Sequence, residues 1–312
     1  MEKAKLKILC YGASVTAQKG GSGYVQRLIE LLPTAHYEVV KIGRGASHFE
    51  YAGYGFSREI ADYAPNILIV DWLSPSMKEF SARKLTAFNK CFSEQGVRVI
   101  WVNFPRRDDL NNERKCFSQV RQSCIDFNLE FIDFNKYIVK EPDKYLRDVV
   151  HTSEAGAQLY AEVLLDLITS KQYPLPVNTI DGASLPVIVE IPARVDESTP
   201  FTLAMKEKKR KIDILLECFI GPNTPFLKFR AESDGCEAIE KVVNPIDSWC
   251  YYTRKMVLPT VSLESTKPIT HLSIHADTGE PLDFITLNKA LSEEVSEHKF
   301  IELSKIVIEY VD

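Results

Sequence analysis

The first 170 residues alternate regularly between short apolar runs and stretches of helical periodicity, and this alternation constrains the fold most. Because each apolar run is nearly continuous, it predicts a strand buried on both faces. The predicted strands are 6–11, 37–42, 67–72, 97–102 and 129–134. The predicted helices are 24–32, 56–63, 81–94, 111–127 and 153–169. This order predicts an α/β fold with a doubly wound, five-stranded parallel sheet and helices on both faces.

The composition changes at Tyr173, where the segment 173–177 carries two prolines and predicts an extended linker. Helical periodicity largely disappears beyond it, and short β-rich runs separated by turn signals take its place. These runs are 187–191, 201–205, 212–220, 226–231, 249–257, 269–275, 284–287 and 305–310. Short strands at this spacing are typical of an antiparallel sandwich. We therefore expect an α/β domain over 1–172, a linker over 173–186 and an all-β sandwich over 187–312.

The length of the chain limits the number of domains, and its net charge limits the class of binding partner. At about 150 residues per domain, 312 residues are enough for two domains with ordinary cores. The 38 basic and 43 acidic residues give a net charge of −5, which argues against nucleic acid as a partner because phosphate contacts require a basic surface. No apolar stretch is long enough to span a membrane, and no signal peptide is visible. We therefore expect a cytoplasmic protein with no membrane span.

The seven cysteines are odd in number and scattered, without a Cys-x-x-Cys pair. Reduced, buried thiols are the simplest interpretation, and a zinc site is not expected. No motif for a cofactor is found either, so we expect chemistry carried by side chains alone.

Two short motifs carry potential chemistry. Ser14 follows the first predicted strand within Gly-Ala-Ser-Val-Thr, at the strand end where ligands bind in parallel sheets. Asp148 and His151 form an Asp-x-x-His motif just before the last predicted helix. A serine hydroxyl needs a base to become a nucleophile, and a carboxylate can orient that base. Alone, each motif is more typical of a turn, a cap or a surface pair, but both are predicted at the same edge of one sheet.

These motifs resemble those of the SGNH, or GDSL-type, hydrolases. In that superfamily the nucleophilic serine follows the first strand, and an Asp-x-x-His motif precedes the last helix. The segment 12–16 resembles the first motif, 148–151 resembles the last, and the helix opening at 152–159 is similar as well. The resemblance covers about residues 1–172. It implies a flavodoxin-like fold and a catalytic triad of Ser14, His151 and Asp148.

The resemblance also implies an oxyanion hole formed by the amide of the serine, a backbone amide after the second strand and an asparagine after the third. Gly45 is the natural candidate after the second strand, with Ser47 or His48 as the alternative if the spacing is shifted. After the third strand, Pro75 stands where asparagine is expected, and proline has no N–H to donate.

Three side chains are candidates to replace the missing asparagine. Ser74 is the first choice because it follows the third strand, and that strand neighbours the first in the family. Ser76 and Asn103 are the alternatives. Losing one oxyanion donor lowers the rate by about 10²–10³-fold, so the replacement matters.

The resemblance implies a serine esterase that removes a small acyl group, most often acetyl, from a carbohydrate or a related ester. We therefore expect a small-molecule or glycan ester as the substrate. Two alternatives stay open at this point. A carbohydrate O-acetyltransferase would use the same triad, and a ligand-binding protein with weakened catalysis would explain the altered third motif.

Overall fold

The computed structural model describes residues 5–76, 78–110, 113–170, 179–277, 286–292, 294–295 and 299–311. The chain divides into two compact units, Met1–Leu185 and Pro186–Asp312. Residues 173–178 of the predicted linker 173–186 lie outside the described residues. Residues 179–185 belong to the first unit, where the side chain of Gln95 is hydrogen-bonded to the backbone N–H and carbonyl of Asp181, and Pro186 begins the second unit.

The first unit contains a five-stranded, all-parallel sheet, as the sequence predicts. Its strands are β1 (Leu6–Gly12), β2 (Tyr37–Gly43), β3 (Ile67–Asp71), β4 (Arg98–Asn103) and β5 (Glu130–Asp133). They lie in the order β2-β1-β3-β4-β5. The chain leaves β1 for β2 on one side and later returns to β3 on the other. The order therefore reverses between β1 and β3, and in such sheets ligands bind at the carboxyl ends beside this reversal.

The helices follow the predicted periodic segments, with small shifts at their ends. They are α1 (Ser14–Ala17), α2 (Tyr24–Leu31), α3 (Arg58–Tyr63), α4 (Ala82–Ser93), α5 (Lys115–Asp126), α6 (Asn135–Ile138), α7 (Pro142–Tyr145) and α8 (Glu154–Thr169). The sequence predicts the fourth helix over 111–127, whereas the observed helix α5 begins at Lys115. Residues 111 and 112 lie outside the described residues. The short helices α1, α6 and α7 were not predicted, because a single turn leaves no periodic pattern.

Alternate residues of the central strands pack against different helices, and this explains the continuous apolar runs. Ile8 and Cys10 of β1 face the core that contains Tyr24 of α2 and Tyr160 of α8. The other face carries an aromatic cluster in which neighbouring rings have centroids 4.8–6.5 Å apart. Its members are Tyr11, Phe49, Trp72, Phe80, Phe88 and Trp101. Both faces of the sheet are therefore buried.

The second unit consists of antiparallel strands in two sheets. Its strands are β6 (Ile188–Val195), β7 (Phe201–Ala204), β8 (Lys211–Ile220), β9 (Phe226–Ser233), β10 (Ile239–Val243), β11 (Arg254–Val257), β12 (Val261–Glu264), β13 (Ile269–Asp277) and β14 (Ile301–Val311). One sheet has the order β10-β9-β13-β7, and the other has the order β11-β8-β14-β6 with β12 also paired to β8. Buried residues of the two sheets share one apolar core, which makes the unit the expected β-sandwich.

Two predicted strands of the second unit differ from the structure, and two observed strands were not predicted. The run 249–257 is a strand only over Arg254–Val257, because its aromatic first half forms turns. Of the predicted run 284–287, residues 284 and 285 lie outside the described residues, and residues 286 and 287 form no strand. The strands Ile239–Val243 and Val261–Glu264 were missed, since each is short and buries few side chains.

All seven cysteines are free thiols, and six of them are buried. Burial raises the pKa of the Cys10 and Cys124 thiols to about 12, so these thiols stay protonated. In the part of the chain that the structure describes, no helix is long and apolar enough to cross a membrane.

Candidate active site

Ser14 is the first residue of α1, directly beyond the end of β1. It is partly exposed, whereas its neighbours Ala13 and Val15 are fully buried. The helix α1 lies close to the end of β2 because Gly43 has no side chain: a Cβ there would lie 2.6 Å from the Cα of Ala17. The turn therefore holds the Ser14 backbone against the sheet while leaving the residue accessible.

Asp148 and His151 form a hydrogen-bonded pair in the loop before α8. The Nδ1 atom of His151 lies 3.0 Å from both carboxylate oxygens of Asp148. The Oδ1 atom of Asp148 also accepts the backbone N–H groups of Val150 at 3.1 Å and His151 at 2.8 Å. When Nδ1 donates to the carboxylate, Nε2 is left as the basic nitrogen. This is the arrangement that a histidine general base requires.

The charge of Asp148 suits this orienting role. Its partial burial would raise its pKa, but the backbone hydrogen bonds from His151 and Val150 and the nearby imidazole outweigh burial and hold the pKa below its ordinary value. The carboxylate is therefore ionised at neutral pH. An ionised carboxylate can stabilise the imidazolium that forms when the histidine accepts a proton.

Gln18 connects the histidine loop to the nucleophile turn. Its side-chain oxygen accepts hydrogen bonds from the backbone N–H of Thr152 at 3.2 Å and from the Thr152 hydroxyl at 3.0 Å. Its side-chain amide donates to the Thr152 carbonyl at 3.3 Å. Thr152 directly follows His151, and Gln18 lies one helical turn after Ser14. These three bonds hold the two predicted motifs at the same edge of the sheet.

The loop after β2 starts beside the end of β1, where the backbone N–H of Arg44 donates to the carbonyl of Gly12 at 2.8 Å. Gly45 is the next residue, and a Cβ built on it would meet nothing within 4 Å. The carbonyl of Gly45 accepts the buried Ser47 hydroxyl at 3.2 Å. His48 is exposed at the end of this loop. The Gly45 backbone therefore borders open space near the end of β1.

A buried arginine holds the loop after β3 in place. Arg114 donates to the carbonyls of Leu73 at 2.6 Å and Ser76 at 2.7 Å. Ser76 also donates its hydroxyl to the Trp72 carbonyl at 2.7 Å. Ser74 is fully buried, and a hydrogen bond from its side chain helps to lower the pKa of the Asp71 carboxyl group. The loop that carries the first-choice oxyanion residue is therefore fixed, and the Ser74 hydroxyl lies beside Asp71.

Asn103 lies at the end of β4, and its side chain is hydrogen-bonded to two other residues. Its side-chain amide donates to Asp133 at 2.9 Å, and its side-chain oxygen accepts from Arg114 at 2.9 Å. Only 1% of Asn103 is exposed. The structure thus places this candidate within the network that supports the β3 loop and the end of β5.

Sequence reasoning missed the two residues that organise these loops, Gln18 and Arg114. Both act through partners that are distant in the sequence, so no local pattern marks them. It also missed Asp71, although a single charge at the end of the apolar run 67–72 was a visible signal. Among the described residues, no group of three His, Cys, Asp or Glu side chains is arranged to hold a metal ion.

The fold of both units together is found in a solved two-domain esterase, CEX, which is active on acetylated mannans. That structure is 14% identical, has a TM-score of 0.59 and covers 98% of this chain and 92% of its own. The same esterase co-crystallised with mannopentaose gives 15% identity, a TM-score of 0.62 and coverages of 99% and 92%. No family model and no curated protein matches the sequence.

The likeness at this level of identity concerns the fold. It supports the flavodoxin-like parallel sheet that the motif resemblance implied, followed by an all-β domain. The two units of this chain thus occur together, in the same order, in a protein of known structure.

Proposed function

We propose that the protein is a serine esterase that removes acetyl groups from a carbohydrate through an acyl-serine intermediate. The observation that carries the proposal is the Asp148–His151 pair, whose loop is hydrogen-bonded through Gln18 to the turn that bears Ser14. A partly exposed serine, a base with one free ring nitrogen and an ionised orienting carboxylate are the parts that ester cleavage needs.

In the first half-reaction, the Ser14 hydroxyl attacks the ester carbonyl while Nε2 of His151 accepts its proton. The resulting tetrahedral oxyanion collapses and the C–O bond to the sugar breaks. The imidazolium then protonates the departing sugar oxygen. Asp148 stabilises the transient imidazolium and keeps Nδ1 turned away from the substrate.

In the second half-reaction, water replaces the sugar. His151 takes a proton from the water as it attacks the acetyl-serine, and a second oxyanion forms. Its collapse breaks the bond to Ser14 and releases acetate, and the imidazolium returns a proton to the serine oxygen. The triad ends each cycle in the state in which it began.

For the oxyanion, we propose the backbone amides of Ser14 and Gly45, with Ser74 as the third donor. The position of Gly45 supports its assignment, since it follows Arg44, whose backbone N–H donates to the Gly12 carbonyl at the end of β1. Ser76 and Asn103 already donate to the Trp72 carbonyl and to Asp133. Because Ser74 is buried, donation to the oxyanion requires its hydroxyl to turn toward Ser14.

The substrate class follows from the fold neighbour and the motif resemblance together. The two-domain esterase with the same fold acts on acetylated mannans, so an acetylated glycan is the first substrate to test. The seven free thiols support a reducing compartment, and we propose the cytoplasm on that basis. Counting the thiols that react in protein extracted under alkylating conditions would test it, because seven should react after unfolding.

Labelling with a fluorophosphonate tests the nucleophile, and acetate release from acetylated oligosaccharides tests the substrate. The parent protein should be labelled stoichiometrically and release acetate, whereas Ser14→Ala should do neither. A panel of nitrophenyl esters with increasing acyl length should show a preference for acetyl. An unlabelled parent with no activity but measurable glycan binding would instead establish the binding-protein alternative.

A further inference from the structure

A buried aspartate, Asp71, lies beneath the nucleophile turn and takes no part in the proposed proton transfers. It is the last residue of β3 and is fully buried. Its Oδ2 atom accepts both the backbone N–H of Thr16 at 3.1 Å and the Thr16 hydroxyl at 2.9 Å. Thr16 lies two residues after Ser14, within the same helical turn. The carboxylate of one strand thus holds the turn that follows the neighbouring strand.

The contact replaces a missing helix cap. The residue before α1 is Ala13, which has no side-chain acceptor for the first amides of the helix. Free N–H groups at a helix start need an acceptor, and a side chain of the preceding residue usually provides it. Here Asp71 provides it from β3. The Asp71 carbonyl also accepts the backbone N–H of Ala13 at 2.9 Å.

The two strands approach closely enough for this contact only because Gly12 has no side chain. A Cβ at Gly12 would lie 2.5 Å from the Asp71 carbonyl oxygen and 2.5 Å from the Thr16 hydroxyl. The backbone and the side chain of Asp71 therefore hold the turn on both sides of Ser14. On the far side of the carboxylate, Ser74 lies close enough to lower its pKa.

We infer that Asp71 is a positioning residue for the nucleophile, and that its negative charge strengthens the bonds that fix Ser14 relative to the β3 loop. The inference rests on the proposed function, because it assigns Asp71 a role in the reactivity of Ser14. Hydrogen bonds to an ionised carboxylate are about twice as strong as bonds to a neutral acceptor. A neutral residue of the same shape should hold the turn more loosely.

Burial raises the pKa of Asp71 to about 7, against the lowering effect of hydrogen bonds from Ser74 and Thr16. The carboxyl group is therefore largely neutral at pH 6 and ionised at pH 8. The native state holds this proton more tightly than the unfolded chain does. Asp71 thus makes the free energy of unfolding fall as the pH rises from its ordinary pKa toward 7, and no further above it.

The other titratable groups near Asp71 keep their protons across this range. They are Cys10 of β1, Tyr24 of α2 and Tyr160 of α8. Burial raises the pKa of Cys10 to about 12 and the pKa values of both tyrosines further above their ordinary value. Lys41 of β2 acts on Cys10, and burial lowers its pKa. Within this cluster, only Asp71 changes charge near neutral pH.

The experiment compares Asp71→Asn with the parent protein in turnover of an activated acetyl ester between pH 6 and 8. Asparagine keeps the shape and an acceptor oxygen but has no charge. At pH 8 we expect kcat to fall about tenfold with KM changed less than about threefold, because a misplaced nucleophile affects mainly the transition state. Near pH 6 the two proteins should approach the same rate.

Thr16 provides an independent pair of variants. Thr16→Val removes only the hydroxyl and should lower kcat at pH 8 by about threefold, and Thr16→Ser should restore most of that loss. Glu217→Gln serves as a control, since Glu217 is a buried carboxylate of the β-sandwich. It should leave kcat and its pH profile as in the parent. If Asp71→Asn fails to fold, the Thr16 pair still decides the inference.

Two further measurements separate the inference from the proposed function. The free energy of unfolding of the parent should fall relative to that of Asp71→Asn as the pH rises from 4 to 7. An active, labelled parent whose Asp71→Asn and Thr16→Val variants match it at every pH would overturn the inference alone. A parent that is neither labelled nor active would overturn the proposed function, and the positioning role would fall with it.

Discussion

Ser14 stands on a turn whose neighbours are buried, whereas His151 and Asp148 stand on a loop where both side chains remain partly exposed. The side chains of His151 and Asp148 are 30% and 45% exposed. The residues on both sides of Ser14 are 0% exposed, whereas beside His151 only Thr152 is 0% exposed and Val150 is partly exposed. The two sides of one proposed site therefore differ in how deeply they are built into the core.

The supports of the two regions differ accordingly. The nucleophile turn is held by close backbone approaches at Gly12 and Gly43 and by a buried carboxylate. The histidine loop is held mainly by backbone hydrogen bonds, such as those from Arg107 to the Val149 carbonyl at 2.7 Å and from Arg147 to the His151 carbonyl at 2.8 Å. These bonds lie near the surface and bury little apolar area.

This difference in support predicts which part of the proposed site a substitution can displace. Packing around the turn fixes the nucleophile whether or not the histidine loop is in place. The loop is positioned by individual hydrogen bonds from Arg107, Gln18 and Thr152, so it is the part that substitutions can displace without unfolding the domain. Variants of the two regions should separate effects on chemistry from effects on placement.

Ser14→Ala should have the largest effect and should act on chemistry alone. We expect esterase activity to fall by roughly 10⁴–10⁶-fold, because the acyl-enzyme can no longer form. The free energy of unfolding should change by less than about 0.5 kcal/mol, since the residue is partly exposed. Activity assays and urea unfolding measure the two quantities. Retention of more than about a tenth of the parent activity would show that another group is the nucleophile.

Asp148→Asn should have the next largest effect. The asparagine oxygen can still accept the backbone N–H of His151, so the loop should keep its shape, but its amide group would face Nδ1. The imidazole would then be held in the wrong tautomer, and kcat should fall by roughly 10³–10⁴-fold. A steady-state measurement of kcat and KM on an acetyl ester tests this.

Arg147→Gln is the matched control for that variant. Arg147 approaches Asp148 at 3.5 Å, and both side chains are exposed. Ion pairs of this kind contribute little, so its activity should stay within about twofold of the parent. Equal losses in both variants would mean that the loop, rather than the Asp148–His151 hydrogen bond, is what the substitution disturbs.

The sequence predicted the parallel sheet well because the strands are buried on both faces and read as uninterrupted apolar runs. Strands with few buried positions left no such pattern. In Ile239–Val243 no residue is fully buried, and Val261–Glu264 buries only two of its four residues. Conversely, the aromatic residues Trp249 and Tyr252 suggested a strand where the chain forms turns. Burial, rather than residue type, decides which β segments are visible in the sequence.

The candidate site was predictable only in part, for a related reason. Ser14, Asp148 and His151 lie in motifs whose residues are close in sequence. Gln18 reaches Thr152 across the whole first unit, and a glutamine at a helix end carries no local signal. The sequence shows which groups can react, whereas the residues that bring them together become visible only in the folded chain.

The oxyanion assignment is tested by alanine substitutions at Ser74, Ser76 and Asn103. A third donor to the oxyanion should lower kcat by about 10²-fold when removed, with little change in KM, because the bond forms mainly in the transition state. We expect this result for Ser74→Ala. Ser76→Ala and Asn103→Ala should mainly lower stability, since both side chains bond to protein groups. If none of the three changes kcat beyond about threefold, backbone amides alone hold the oxyanion.

Gln18→Ala should lower activity less than the substitutions at Ser14, Asp148 and Ser74, and it should separate placement from chemistry. The change removes the bonds to Thr152 but leaves the Asp148–His151 pair intact. We expect kcat to fall about tenfold, because a shift of the base by a fraction of an ångström lowers the rate without abolishing it. Fluorophosphonate labelling should slow in parallel. Gln26→Ala, which removes an exposed glutamine whose side chain donates to Glu30 at 3.1 Å, is the control and should match the parent. If Gln18→Ala also matches the parent, the loop's own backbone bonds are enough to place His151, and the exposed side of the site would be as well fixed as the buried one.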